Sequence, residues 1–299
     1  MPSWNEVLLE LQSSNRKDAL DDVRRKYLLE LSAHRNRNVI AYYSGWLQKP
    51  GLSVSSINDD DKNGFMASIH NLDRSKGLDI LLHSPGGDMA ATESIIDYLH
   101  RMFDGDIVAF VPQIAMSRGT MMACSCKEIY MGKQSNIGPI DPQFGGIPAH
   151  GVIKEFETAI DRVKADPGSI PIWQTIIGKY HPTFIGECQN AIKMADEMVA
   201  RSLVNVMFRG DSEAEAKAQD IVSFLNEHEA SKTHARHINI DEAKNCGLSI
   251  SDLEEDPTLQ DLVLTVHHCF MHTFANSNAA KIIENHEGNA VVMMGPSSS

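Results

Sequence analysis

The sequence predicts an α/β protein built on a parallel sheet, and three observations carry that expectation. Strand-length apolar runs, GLDILLHS (77–84), DIVAFVP (106–112) and EIYMGK (128–133), follow one another in the middle of the chain. Between the first two lies MAATESIIDYLHRMF (89–103), apolar at helical spacing. The links are rich in small residues, PGGD before that helix and AMSRGT before a short second one. Continuous apolar strands alternating with helices are what a parallel sheet covered on both faces requires.

Upstream, Val7, Leu8 and Leu11, then Val23, Tyr27, Leu28 and Leu31, recur at helical spacing on charged backgrounds and predict peripheral helices. NVIAYYS (38–44) is rich in β-branched and aromatic residues and predicts a strand, followed by a polar loop through 53–63. After GPIDPQFGG (138–146) the pattern turns helical at 151–163 and at 186–208, where Ile192, Ala195, Val199, Leu203 and Val206 form one stripe. Residues 210–299 read as mostly helical, with LQDLVLTVHHCFMHTF (259–274) the clearest case, and end in a GPSSS tail expected to be disordered. The expected division is an N-terminal helical segment (1–60), a core (61–230) and a C-terminal helical extension with the tail (231–299).

Hydrophobic residues make up 42% of the 299-residue chain, enough for a sizeable core. Asp and Glu number 40 against 27 Lys and Arg, a formal charge of −13 without a long basic run, so neither nucleic acid nor an anionic membrane surface is expected as a partner. The first thirty residues hold no apolar signal core, and no run approaches the roughly 18 apolar residues of a spanning helix. A cytoplasmic protein without membrane insertion is expected, and its five cysteines read as reduced thiols.

Three stretches have the makings of a site. In His83-Ser84-Pro85-Gly86-Gly87-Asp88, two glycines between a buried strand and a helix let backbone amides approach an anion. The alternative is a plain turn with Asp88 as helix cap. In Ala115-Met116-Ser117-Arg118-Gly119, a serine at a strand-to-helix junction is placed either as an exposed nucleophile or as a cap. A right-handed crossover would set the two stretches on adjacent strand ends. In GKQSNIGPIDPQ (132–143), Ser135 and Asp141 flank a Gly-Pro turn that also reads as a structural loop. His267, His268 and His272 bring two histidines to i, i+4 without a nameable further ligand, so packing is the better reading, and His234-Ala235-Arg236-His237 is similar. Cys124 and Cys126 do not share a helical face and read as small core residues.

LLHSPGGDMAATESIIDYL, PQIAMSRGTMMA and MGKQSNIGPIDPQ, in this order, resemble the serine dehydrogenase proteinase family, a branch of the Clp protease and signal peptide peptidase A superfamily. YYSGWLQ and INDDDKNGFM upstream, and KYHPTFIGEC, HARHI and KIIENHEG downstream, extend the similarity over most of the chain. The resemblance implies a Clp/crotonase-like fold of repeated ββα units with added helical ends. It also implies a serine peptidase that uses neither cofactor nor metal, acts on peptide or protein substrates, and forms a homo-oligomer.

Carried over, Ser117 would be the nucleophile, with the amides of Gly86 or Gly87 and of Arg118 as the oxyanion hole. Asp141 stands where the Clp subunit has its histidine, so a Ser-His-Asp triad is not supported. The signal peptide peptidase A pattern points instead to a lysine after the core: Lys179 first, His181 second. A lysine base needs a pKa lowered by several units, and Trp173, Ile176, Ile177 and Tyr180 are expected to supply an apolar pocket for it. Lys154 and Lys164 are expected on an exposed helix face. Arg118 replaces the family's usual small residue and would either block substrate or recruit an acidic one. Two rival functions are kept: a non-catalytic, partner-binding scaffold of the same fold, and a crotonase-like acyl-CoA enzyme.

Overall fold

In the computed structural model, which describes residues 4–14, 16, 18–226 and 236–296, the three apolar runs become inner strands of one seven-stranded sheet. Strands β1 (Asn38–Ser44), β2 (Leu78–His83) and β3 (Ile107–Val111) lie side by side in parallel. After a short β4 (Ile114–Ala115), β5 (Glu128–Met131) continues the parallel run beside β3. Three two-residue pieces follow, β6 (Asn136–Ile137), β7 (Gln143–Phe144) and β8 (Ile147–Pro148), then β9 (Ile238–Asn239). β10 (Ile250–Asp252) adds the last parallel strand at one edge. At the other edge, β11 (Ala279–Asn285) runs antiparallel to β1, and β12 (Ala290–Met294) antiparallel to β11.

Both faces of this sheet are covered, which is why β1, β2 and β3 are buried along their whole length rather than alternating. Val39, Ala41 and Tyr43 of β1 face Leu28 and Leu31 of α2 (Ala19–Arg35), together with apolar residues of the long C-terminal helix such as Val263 and Phe270. Ile40 and Tyr42, one position out of phase, face Phe65 of α3 (Asp60–Ile69) and Ile95 of α4 (Met89–Phe103). The same side continues through α5 (Arg118–Cys124), α8 (Phe184–Ser202) and α9 (Ala214–Asn226). Two further helices, α6 (Ala149–Ala165) and α7 (Ile170–Ile177), precede α8. The first helix, α1 (Trp4–Ser13), packs on the C-terminal helix, and a short α10 (Ile240–Asn245) starts with a capping box between Asn239 and Glu242. That C-terminal helix is α11 (Pro257–Asn276). The helix read from 186 to 208 is α8 continued by a π-helical turn over Leu203–Met207.

The segment after α11 departs from the helical expectation. Ala279–Asn285 and Ala290–Met294 are strands, and every residue of the former is buried. Lys281, Glu284 and Asn285 give AAKIIEN a polar look, yet each is buried against a partner. Lys281 Nζ donates to Asp61 Oδ1 at 2.7 Å and to Ser56 O at 2.6 Å, and Asn285 Nδ2 donates to Ser68 O at 2.7 Å. Glu284 pairs with Arg24, which is equally buried, and accepts from Arg25 at 2.9 Å. Strands from both flanking segments are thus joined to the middle of the chain by backbone hydrogen bonds. Of the expected disordered tail, residues 297–299 lie outside the described residues, as does His234. Among the described residues no helix is long and apolar enough to cross a membrane.

Candidate active site

The three stretches picked out in the sequence meet at the carboxyl ends of β2 and β4, because backbone register carries them there. One residue beyond β2, Ser84 bridges in parallel to Ala115, and the Met116 amide donates to Ser84 O at 2.9 Å. β4 pairs in parallel with β6, beyond which the Gly138 amide donates to Thr120 Oγ1 at 2.9 Å. The open end of an α/β sheet is where ligands bind.

Ser117 occupies the turn between β4 and α5 with φ 52 and ψ −116, and its hydroxyl does not cap the helix. A serine gains nothing from this backbone region, which costs about 1–3 kcal/mol. Asp88, by contrast, is a working cap: its Oδ1 accepts from the Ala91 amide at 2.8 Å.

Gly86 lies against Ser117. It has φ +94, and a Cβ there would stand 2.8 Å from Ser117 Cβ and 3.0 Å from the Arg118 amide nitrogen. Gly87 is clamped from the other side, since a Cβ would lie 2.3 Å from the backbone of Ile57. Ile57 ties the turn down: its amide donates to Gly86 O, and its carbonyl accepts from Asp88, both at 2.9 Å. The Gly86 amide donates to Ser84 Oγ at 3.2 Å. The amides of Gly87 and Arg118 have no acceptor among the described residues.

Arg118 donates from Nη1 to Ser117 Oγ at 3.0 Å. The residue is only 8% exposed, and burial pulls its guanidinium below the ordinary value against the opposing fields of Asp141 and Asp88. Asp141 is itself buried. Beyond it, β7 and β8 form a hairpin whose Gly145 and Gly146 have φ 58 and 84, and the Ala149 amide donates to Pro142 O at 2.8 Å. Positive φ at both central residues is the two-residue hairpin geometry. The chain therefore doubles back, and His150 Nε2, at the start of α6, stands 3.9 Å from Asp141 Oδ1. His150 also edges a cleft of about 410 Å³ between α8 and α9, lined by Asp196, Gln219, Ser223 and Asn226.

A family model for ClpP-like SDH-type serine proteinases matches residues 6–263. The chain belongs to that family. It is similar to two uncharacterised proteins of Methanocaldococcus jannaschii. One is 29% identical over 246 residues, covering 80% of this chain and 78% of the relative. The other is 25% identical over 231 residues, covering 76% and 71%.

For this ClpP-like proteinase, the structure brings Ser117, Arg118, Gly86, Gly87 and Asp141 together. It leaves both expected bases elsewhere. Lys179 is exposed, and the apolar pocket expected around it does not form: α7 buries none of its residues, and Trp173, Ile176, Ile177 and Tyr180 are only half-buried. His181 is also exposed and is held locally, with Nδ1 3.0 Å from Thr183 Oγ1 and Nε2 3.6 Å from Glu187. Neither touches Ser117, Arg118 or Asp141 among the described residues. His150 was missed because nothing in its immediate neighbours marks it. The available signal was Phe-Gly-Gly-Ile at 144–147, a hairpin turn that returns the chain toward Asp141. Ser135 is structural: its hydroxyl accepts from the Gly132 amide at 2.8 Å.

Most of the other histidines and cysteines singled out in the sequence are packed in the interior. His272 Nε2 lies 3.1 Å from Trp4 O, and His237 is exposed. Cys124 and Cys126 are buried, and burial pushes both thiols up. His83, immediately before the glycine turn, is fully buried with its ring against Tyr43, Trp46 and His267. Burial holds His83 well below 6.5 and His267 at about 3. A folded-state value below the unfolded one means that the unfolded chain binds the extra protons. Stability is then full above about pH 6.5 and falls as pH drops, by about 1.4 kcal/mol per pH unit for each histidine until its folded-state value is reached. Thermal midpoints measured from pH 7.5 to 4.5 should therefore fall more steeply in the wild type than in His267→Phe. Parallel curves would show that His267 takes no part.

Proposed function

We propose that this chain is a serine peptidase in which Ser117 attacks a peptide carbonyl, His150 is the general base, and the amides of Gly87 and Arg118 hold the oxyanion. The observation that carries the reading is the strained backbone of Ser117, whose hydroxyl does not cap α5 and which lies against the Gly86–Gly87 turn, where the amides of Gly87 and Arg118 have no acceptor among the described residues. Strain of this kind persists where the site uses it. Gly87 is chosen over Gly86 because the Gly86 amide is already engaged by Ser84.

As the Ser117 Oγ–carbon bond forms, the hydroxyl proton passes to His150 and the carbonyl electron pair moves onto oxygen, facing the two amides. Collapse breaks the C–N bond, and the leaving amine takes the proton from His150. Water then repeats the sequence on the acyl-enzyme, releasing the acid and restoring Ser117. Asp141 supports His150 by holding a carboxylate near the imidazole, and the 3.9 Å separation is of the loose kind that substrate closes. The Arg118 guanidinium on Oγ favours the developing negative charge. The cleft beside His150 offers amide, hydroxyl and carboxylate groups to an extended peptide.

The test is labelling with a fluorophosphonate followed by peptide mapping, alongside hydrolysis of a fluorogenic peptide. Modification confined to Ser117 is expected, and His150→Gln should lower kcat by about 10²- to 10⁴-fold, the usual contribution of a general base. Unchanged hydrolysis by His150→Gln would remove that residue, and an unlabelled Ser117 in an inactive protein would favour the scaffold reading.

A further inference from the structure

Buried charges in proteins are normally paired, and Arg118 is an exception. Its Nη1 meets a neutral hydroxyl, its Nε has no partner, and no carboxylate lies within ion-pairing distance of it among the described residues. Asp141 and Asp88 act on it from further away, and the Asp88 carboxylate is engaged in capping α4. Burial outweighs their combined field, so the guanidinium is a desolvated cation short of counter-charge.

The position of that cation relates it to the substrate. Nη1 is 3.0 Å from Ser117 Oγ, and attack places the scissile carbonyl carbon about 3–3.5 Å from the same oxygen. Successive Cα atoms are about 3.8 Å apart, so the guanidinium is within reach of a carboxylate on a residue flanking the scissile bond. A guanidinium fork binds a carboxylate by donating two parallel hydrogen bonds to it. Taking one would turn Nη1 away from Ser117 Oγ and free that oxygen's lone pair for attack.

We propose that Arg118 is the specificity residue of this site and selects substrates that carry a carboxylate on a residue next to the scissile bond. The inference rests on the serine peptidase reading. The carboxylate belongs either to an Asp or Glu side chain or to a free chain end, and both present the same group to the fork.

The experiment measures kcat/KM on matched fluorogenic peptides with Ala, Asp, Glu or Lys on each side of the scissile bond, each with a free and an amidated C-terminus. Wild type is expected to prefer a carboxylate-bearing peptide over its neutral match by roughly 10- to 100-fold, the range of a charge-assisted hydrogen-bonded pair. The ratio should collapse toward one in Arg118→Met and be partly kept in Arg118→Lys, which retains charge without the fork. Because the readout is a ratio within each variant, a general loss of activity does not imitate it. A preference that disappears on amidation assigns the chain end, and one that survives assigns the side chain. Wild type that is labelled at Ser117 and cleaves neutral and acidic peptides equally overturns the proposal but leaves the peptidase standing. A protein neither labelled nor active overturns both.

Discussion

Ser117→Gly is expected to abolish peptide hydrolysis and yet be more stable than Ser117→Ala by about 1 kcal/mol. Both variants lose the hydroxyl, and with it the acceptor for Arg118 Nη1, so their difference isolates the backbone. At φ 52 and ψ −116 an alanine keeps the Cβ strain and a glycine does not. The gain is reduced, but not cancelled, by the larger entropy of glycine in the unfolded chain. For a chain of this size the difference corresponds to a thermal midpoint roughly 1.5–2 °C higher for the glycine variant. Hydrolysis should fall by at least about 10³-fold in both, as when a covalent nucleophile is removed. Equal midpoints would show that the turn stores no strain. Residual turnover at wild-type rates would remove Ser117 from the chemistry.

The largest loss of stability is expected from Lys281→Met. Lys281 in β11 and Asp61 in α3 are both fully buried, 220 residues apart in sequence, and the carboxylate also accepts from Tyr42 Oη at 2.6 Å. Burial draws the ammonium below its ordinary value, while Asp61 keeps it charged. Removing one partner leaves an uncompensated buried charge, a loss of about 3–5 kcal/mol. Denaturant unfolding should show the midpoint fall in Lys281→Met and recover substantially in Lys281→Met/Asp61→Asn, where no lone charge remains. A double variant no more stable than the single would assign the loss to packing instead. The pair also bears on the site. Lys281 holds Ser56 O, and the next residue, Ile57, makes the two backbone bonds that fix the Gly86–Gly87 turn. The single variant should therefore lose hydrolysis before it loses its fold, which parallel activity and circular dichroism measurements against denaturant would reveal.

The arrangement clarifies why Arg118 does not by itself argue against catalysis. In the proposed mechanism a cation hydrogen-bonded to Ser117 Oγ occupies the oxygen that would attack, but it also favours loss of that hydroxyl's proton. A substrate carboxylate would resolve the conflict by drawing the guanidinium aside.

The inner strands and the helix after the glycine turn were legible in the chain because burial on both faces leaves β2 and β3 apolar apart from Asp79 and His83, and because α4 has one apolar stripe. Ser117 and the two glycines were legible for a related reason. Backbone that must turn sharply, or approach another chain segment within a Cβ's radius, restricts residue type locally. β11 was not legible, since its lysine, glutamate and asparagine are neutralised by residues of α2, α3 and the loop before α3, far away in sequence. The surroundings of Lys179 were not legible for the same reason. Lys179 has apolar sequence neighbours, but α7 leaves them half in solvent, whereas His150 owes its place beside Asp141 to a hairpin.

Local restrictions on backbone and periodicity thus carried the α/β class, the Ser117 turn and the glycine turn, because each depends on residues within one turn of chain. Which polar groups are buried, which base faces the site, and how far Arg118 goes uncompensated depended on folding, because electrostatic pairing is set by distance in space and not by separation along the chain.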